Sequence, residues 1–155
     1  MAKTKAELQD ELQTEALSHI GERYNIAVEI GTGGGKTLLG LKHMAKQYHD
    51  SASFLVGATV NTIYDEWIKN AKEFGYEYLL DHITFVNYRS LTKQVLDYDW
   101  FYADECQGFK ANHTEWLDSY TLNGGKILGL TGTYPKSGEK YEVCTTYIPK
   151  IFYTN

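Results

Sequence analysis

Arginine, cysteine and proline are nearly missing from this chain, with two of each among 155 residues. Cys106 and Cys144 are too few for a disulfide framework, and without a C-x-x-C pair they do not describe a structural zinc site. They read as free thiols. The five histidines, at 19, 43, 49, 82 and 113, are scattered, which favours ordinary surface or core imidazoles over a metal centre. No low-complexity tract, internal repeat or Pro/Gly linker offers a place to divide the chain. No apolar run approaches the length of a membrane span, and residues 1–10 are charged rather than signal-like, so a soluble intracellular protein is expected. The net charge of −5 argues against a strong autonomous nucleic-acid binder, because such binding rests on phosphate neutralisation by Lys and Arg.

What is present is the composition of a folded domain: 43% apolar and 14% aromatic residues, in a length that suits one core. An amphipathic helix is expected over 5–20, with Leu8, Leu12, Glu15, Ala16 and Ile20 at mixed three- and four-residue spacing and Gly21 at its end. Strands are expected over about 24–30, 53–57, 83–86, 100–103, 126–130 and 151–153. Between them, helices are expected from Lys36 to about Tyr48 and from the capping-type Asn61 to Phe74, with a shorter one over 88–96. Short apolar strands alternating with helices imply an α/β fold whose parallel sheet is covered on both faces.

The stretch from Ile30 through Gly31, Thr32, Gly33, Gly34, Gly35, Lys36 and Thr37 sits between a strand and a helix. That is the context of a phosphate-binding loop. Glycines let the backbone wrap closely round an anion with its N–H groups pointing inward, at the favourable end of a helix dipole. Lys36 would reach the β- and γ-phosphates of ATP, and the Thr37 hydroxyl would bind the Mg²⁺ that bridges them. The general pattern asks for glycine at the first position, where this chain has Ile30.

An apolar strand running into Asp104-Glu105-Cys106-Gln107 places two carboxylates at the C-terminal edge of a sheet, where open α/β folds bind ligands. Asp104 would hold Mg²⁺, and Glu105 would orient and deprotonate the water that attacks the γ-phosphate. The strand ending at Leu130 continues into Thr131-Gly132-Thr133, whose hydroxyls emerge at the same edge and can hydrogen-bond the acidic box.

Taken in order, Gly31 to Thr37, Asp104 to Gln107 and Thr131 to Thr133 resemble motifs I (Walker A), II (the DExx box) and III of the first RecA-like domain of superfamily-two helicases and translocases. Phage DNA helicases and the helicase subunits of restriction enzymes are the nearest kinds, and the resemblance spans nearly the whole chain. It implies a three-layer RecA-like P-loop NTPase domain with a mainly parallel central sheet. Relatives often lack glycine at the position of Ile30. The segment 12–17 is similar to the one whose glutamine reads adenine, which makes Gln13 a cofactor-binding candidate. Residues 58–67, through Trp67, take the place of motif Ia, with Thr59 where proline is usual and Glu66 where glutamine is frequent. The segment 87–91 looks like the next nucleic-acid element, with Arg89 able to contact phosphate and Tyr88 able to pack or stack. Gln107 stands where many relatives have histidine, so coupling to Glu105 would run through hydrogen bonds with no titrating group.

The family closes ATP between two RecA-like domains, the second supplying arginine fingers worth about 10³ to 10⁵ in rate. Residues 1–155 are therefore expected to be the ATP-binding domain alone, without the second. Arg23, just before the first strand, and Arg89 are both poorly placed as fingers. The expected function is ATP binding and slow hydrolysis by the first domain of a DNA helicase or translocase. ATP and Mg²⁺ would be its cofactors, with DNA and a second RecA-like domain in cis or trans as partners. Two other readings stay open: a non-catalytic nucleotide-dependent binding module, which has no need of Glu105, and a DNA-packaging (terminase-like) ATPase domain.

Overall fold

The computed structural model describes residues 2–31 and 35–154, so Thr32, Gly33 and Gly34 of the glycine loop lie outside the described residues. Period-2 alternation sets the architecture. In strand β4 (Trp100–Asp104), Trp100 and Tyr102 enter one apolar core while Phe101 and Ala103 enter another. A strand buried on both faces must lie at the centre of a sheet covered on both sides.

The sheet has six strands in the order β3-β2-β4-β5-β1-β6, with β1 Ile26–Glu29, β2 Phe54–Ala58, β3 Ile83–Asn87, β5 Lys126–Thr131 and β6 Lys150–Tyr153. Every neighbouring pair is parallel. Helices α1 (Lys5–Ile20), α2 (Lys36–Gln47) and α3 (Thr62–Glu73) supply the first core with Ala16, Ile20, Leu39, Met44, Trp67 and Ala71. Helices α4 (Thr114–Leu122) and α5 (Gly138–Tyr147) supply the second with Trp116, Leu117, Tyr120, Val143 and Cys144. This is the three-layer RecA-like arrangement, and its sheet is wholly parallel.

Topology gathers the distant motifs. β5 pairs with β1 on one side and β4 on the other, so Glu29 aligns with Thr131 and Asp104 with Leu130. The ends of β1, β5 and β4 thus meet at one edge of the sheet, with β2 and β3 ending beside them. The backbone of Ile30 extends β1 by donating to the Thr131 carbonyl at 2.9 Å, and its side chain is buried in the first core. That burial is a physical reason for isoleucine where a loop glycine is usual.

Several local details differ from expectation. Asn61 precedes α3 but makes no side-chain cap; its carboxamide oxygen accepts from the Asn87 amide at 3.3 Å. The turn after β3 is a 3₁₀ helix over Tyr88–Lys93, and α1 buries Gln13, Ala16 and Ile20 while Leu8 remains 54% exposed. No helix among the described residues is long and apolar enough to cross a membrane.

Gly57 in β2 faces the rings of Tyr88 and Phe101, which a Cβ would meet at 2.7 and 2.8 Å. Gly57→Ala is expected to lower stability by about 1–3 kcal/mol through overpacking, read as a smaller urea midpoint at unchanged m-value. An unchanged midpoint would mean that this layer can yield.

Candidate functional site

The site begins with the turns that leave the strands. Gly35 precedes α2 with φ 75°, left-handed geometry in which a side chain is strained, and a Cβ there would also collide with the Gln13 carboxamide. Glu105, just after β4, has φ 50°. A left-handed glutamate costs free energy that the surrounding structure must offset, and such outliers cluster at functional positions.

Lys36, at the start of α2, places Nζ 3.0 Å from Asp104 Oδ1 and 2.7 Å from Glu105 Oε1. Burial disfavours the ammonium, yet the charges of Asp104 and Glu105 outweigh it and hold the lysine above its ordinary pKa. Burial likewise pushes the Glu105 carboxyl up, but hydrogen bonds from Lys36 and Gln107 hold it below the usual carboxylate range. Both groups are therefore ionised at neutral pH.

Asp104 is fully buried, and its second oxygen accepts from the Trp67 indole N–H at 2.7 Å. Gln107 donates to Glu105 Oε2 at 2.5 Å and accepts from the Thr131 hydroxyl at 2.6 Å. The Thr131 oxygen in turn accepts the Thr133 N–H at 2.9 Å. One hydrogen-bonded chain thus runs from Thr133 through Thr131 and Gln107 to Glu105 and Lys36.

A cleft of about 470 Å³ opens over these groups, lined by Ile30, Gly31, Gly35, Lys36, Glu105 and Thr133 together with Gln9, Glu66 and Gly132. The Thr37 hydroxyl is buried and has no hydrogen-bond partner among the described residues. An orphaned hydroxyl at the start of α2 and a buried carboxylate at the end of β4 are the hard oxygen donors that Mg²⁺ takes. The residues present therefore fit a nucleotide-bound Mg²⁺.

Gln13, the candidate for reading adenine, packs against the start of α2. Its side chain is buried behind the loop and donates to the Gly35 carbonyl at 3.2 Å, while Gln9, one helical turn earlier, lies on the cleft wall. Thr37, Asp104, Glu105, Gln107, Thr131 and Thr133 all reach the edge of the sheet where the sequence put them.

A second groove, of about 390 Å³, lies beside the first and gathers Thr59, Asn87, Arg89, Lys110, Asn112 and Lys140 over Tyr88, Gly108 and His113. No carboxylate lines it, and none of its three cations is ion-paired among the described residues. Thr59 and Arg89 are exposed there. Of the two roles open to Tyr88, packing or stacking, the structure shows packing: the ring is buried against Phe109 and His113. Its hydroxyl donates to the Asp104 carbonyl at 2.5 Å, which ties the groove to the acidic box. His113 braces the same wall, its Nδ1 accepting from Lys110 N at 3.0 Å and its Nε2 lying 2.9 Å from the Tyr88 carbonyl. Those bonds call for a neutral imidazole with its proton on Nε2, and burial lowers the pKa accordingly. Sequence reasoning did not find Lys110, Asn112 or Lys140. The signal available for Lys110 and Asn112 was the polar stretch Lys110-Ala111-Asn112-His113 just after the acidic box, and no local pattern marks Lys140.

No protein-family model matches the chain, and no curated protein matches it by sequence. Solved structures match it by shape. The UvsW helicase of bacteriophage T4 superposes with a TM-score of 0.72 at 12% identity, over 91% of this chain and 58% of that one. The Hef helicase domain of Pyrococcus furiosus gives 0.67 at 13% identity, over 94% of this chain and 38% of that one. The Type ISP restriction-modification enzyme LlaGI, solved as a nuclease-deletion mutant with a DNA substrate mimic, gives 0.66 at 13%, over 100% and 20%. The chain spans less than two thirds of each of these proteins. At such identities the likeness is one of fold: the three-layer RecA-like arrangement is shared with these helicase structures.

Proposed function

We propose that this chain is the ATP-binding first RecA-like domain of a superfamily-two DNA helicase or translocase. One observation carries the reading: Lys36 of the glycine loop is paired with both Asp104 and Glu105 across the end of β5, beside a buried Thr37 hydroxyl that has no partner among the described residues.

The charges suggest the sequence of events. Triphosphate entering the cleft competes with the two carboxylates for the Lys36 ammonium, and the flexible lysine stem can follow the phosphates. Thr37 and Asp104 would hold Mg²⁺, which when bound neutralises charge on the phosphate oxygens. Glu105, released from Lys36 but still held by Gln107, is left as the base that orients and deprotonates the attacking water. Gln107 connects that base to Thr131 and Thr133, so a shift of the acidic box reaches the third motif through hydrogen bonds alone.

The cation-lined groove suits the phosphodiester backbone of nucleic acid, because Arg89, Lys110 and Lys140 concentrate positive charge locally on a chain whose net charge is −5. The low net charge keeps that affinity modest. Arg23 precedes β1 and so lies at the opposite end of the sheet from the cleft, and Arg89 faces the groove. An arginine finger would therefore come from a second RecA-like domain.

Titration with ATP in the presence of Mg²⁺ tests the reading. Lys36→Ala is expected to weaken binding about 10- to 100-fold, the loss of a charged hydrogen bond worth ~1.5–3 kcal/mol. Glu105→Gln should keep the binding and slow single-turnover phosphate release about 10²- to 10⁴-fold. Unchanged ATP affinity in Lys36→Ala would overturn the phosphate-loop assignment. For the groove, replacing Arg89, Lys110 and Lys140 by alanine should weaken oligonucleotide binding uniformly across sequences and reduce the salt slope by about one per cation. A sequence-dependent loss would point to base contacts instead.

A further inference from the structure

The two oxygens of Asp104 have partners of different kinds. Lys36 holds Oδ1 at 3.0 Å and is a cation on a flexible stem. Trp67 holds Oδ2 at 2.7 Å and is neutral and wholly buried.

The Trp67 ring is wedged in place. It lies across Gly40 in the middle of α2, where an added Cβ would come 2.5 Å from ring atom Cη2 and 3.0 Å from Leu130 Cδ1. Glycine inside a helix costs about 1 kcal/mol relative to alanine, and the passage of this ring is the structural reason to keep it. Tyr102 of β4 flanks the indole with a centroid separation of 6.3 Å. Helix α3 thus reaches over α2 to grip the end of β4.

We infer that Trp67 is a positioning residue for the metal-binding carboxylate: its N–H fixes Asp104 Oδ2, leaving Oδ1 to be exchanged when Lys36 departs for the phosphates. A neutral donor is suited to this task. It orients the carboxylate without cancelling its charge, whereas a second cation would compete with Mg²⁺. Partners that orient a ligating carboxylate in this way contribute substantially to metal affinity. The inference rests on the reading of the cleft as an Mg-ATP site.

A buried indole N–H needs an acceptor in any case, so a merely structural role must be separated from a positioning one. Two replacements of Trp67 do so: Trp67→Phe, and substitution by β-(3-benzothienyl)alanine, which keeps the bicyclic shape and puts sulfur in place of N–H. Binding of a fluorescent ATP analogue is measured in EDTA and then as a function of Mg²⁺ concentration. The expected result is a Mg²⁺ midpoint raised about 10- to 100-fold, with affinity in EDTA held within about twofold. A wild-type Mg²⁺ midpoint in a folded variant overturns the inference. Should Trp67→Phe fail to fold by circular dichroism, the benzothienyl variant decides. Lys36→Ala in the same assay separates the two levels. If the wild-type chain binds no analogue, or Lys36→Ala binds it equally well, the site reading falls and the inference with it; if those controls behave, a normal Mg²⁺ midpoint removes the role of Trp67 alone.

Discussion

A carboxylate buried as completely as Asp104 cannot stand alone, and the pairing of Lys36 with it and with Glu105 is what the rest of the site depends on. Removing a buried charge from water costs several kcal/mol unless a partner and hydrogen bonds repay it. Here the partner comes from the start of α2 and the further hydrogen bond from α3, so two helices and one strand must be correctly placed before the charge is tolerated. The sheet order makes this possible by putting β5 between the strand of the glycine loop and the strand of the acids. The same order sets Thr131 at the end of β5, within reach of Gln107.

In the structure Lys36 engages both carboxylates at once. Under the proposed function, triphosphate would offer the lysine a denser anion, and its departure would free Glu105 while Trp67 and Gln107 keep the two carboxylates oriented. On the far side, Tyr88 and His113 connect the backbone of the acidic box to the wall of the cation-lined groove. Buried side chains thus link the acidic box at the cleft to the wall of the groove.

Much of this was legible in the sequence for specific physical reasons. The four inner strands β1, β2, β4 and β5 appear as short apolar runs because they are buried on both faces, while the edge strands β3 and β6 are only partly buried. The glycine loop, the acidic pair and the threonines are legible because their chemistry needs those residue types at the ends of strands. Other features were hidden. α5 buries only Val143 and Cys144 and contains two threonines and two tyrosines, so neither propensity nor periodicity marks it. The position of Gln13 behind Gly35 depends on how α1 docks, which its own residues do not specify. The sequence leaves Tyr88 open to packing or stacking, and only the fold reveals that its ring is enclosed and that its hydroxyl donates to the Asp104 carbonyl. Long-range partners such as Trp67 to Asp104 leave no local pattern, apart from a glycine in the middle of α2.

The most direct test of the central claim, that the Lys36 pairing with Asp104 and Glu105 gives way to nucleotide, is a crystal structure of the chain with Mg²⁺ and a non-hydrolysable ATP analogue. The expected result has Lys36 Nζ moved from the two carboxylates onto the β- and γ-phosphates, with Thr37 Oγ1 and Asp104 directed at the metal. An analogue bound elsewhere, with Lys36 still held by Asp104 and Glu105, would contradict it.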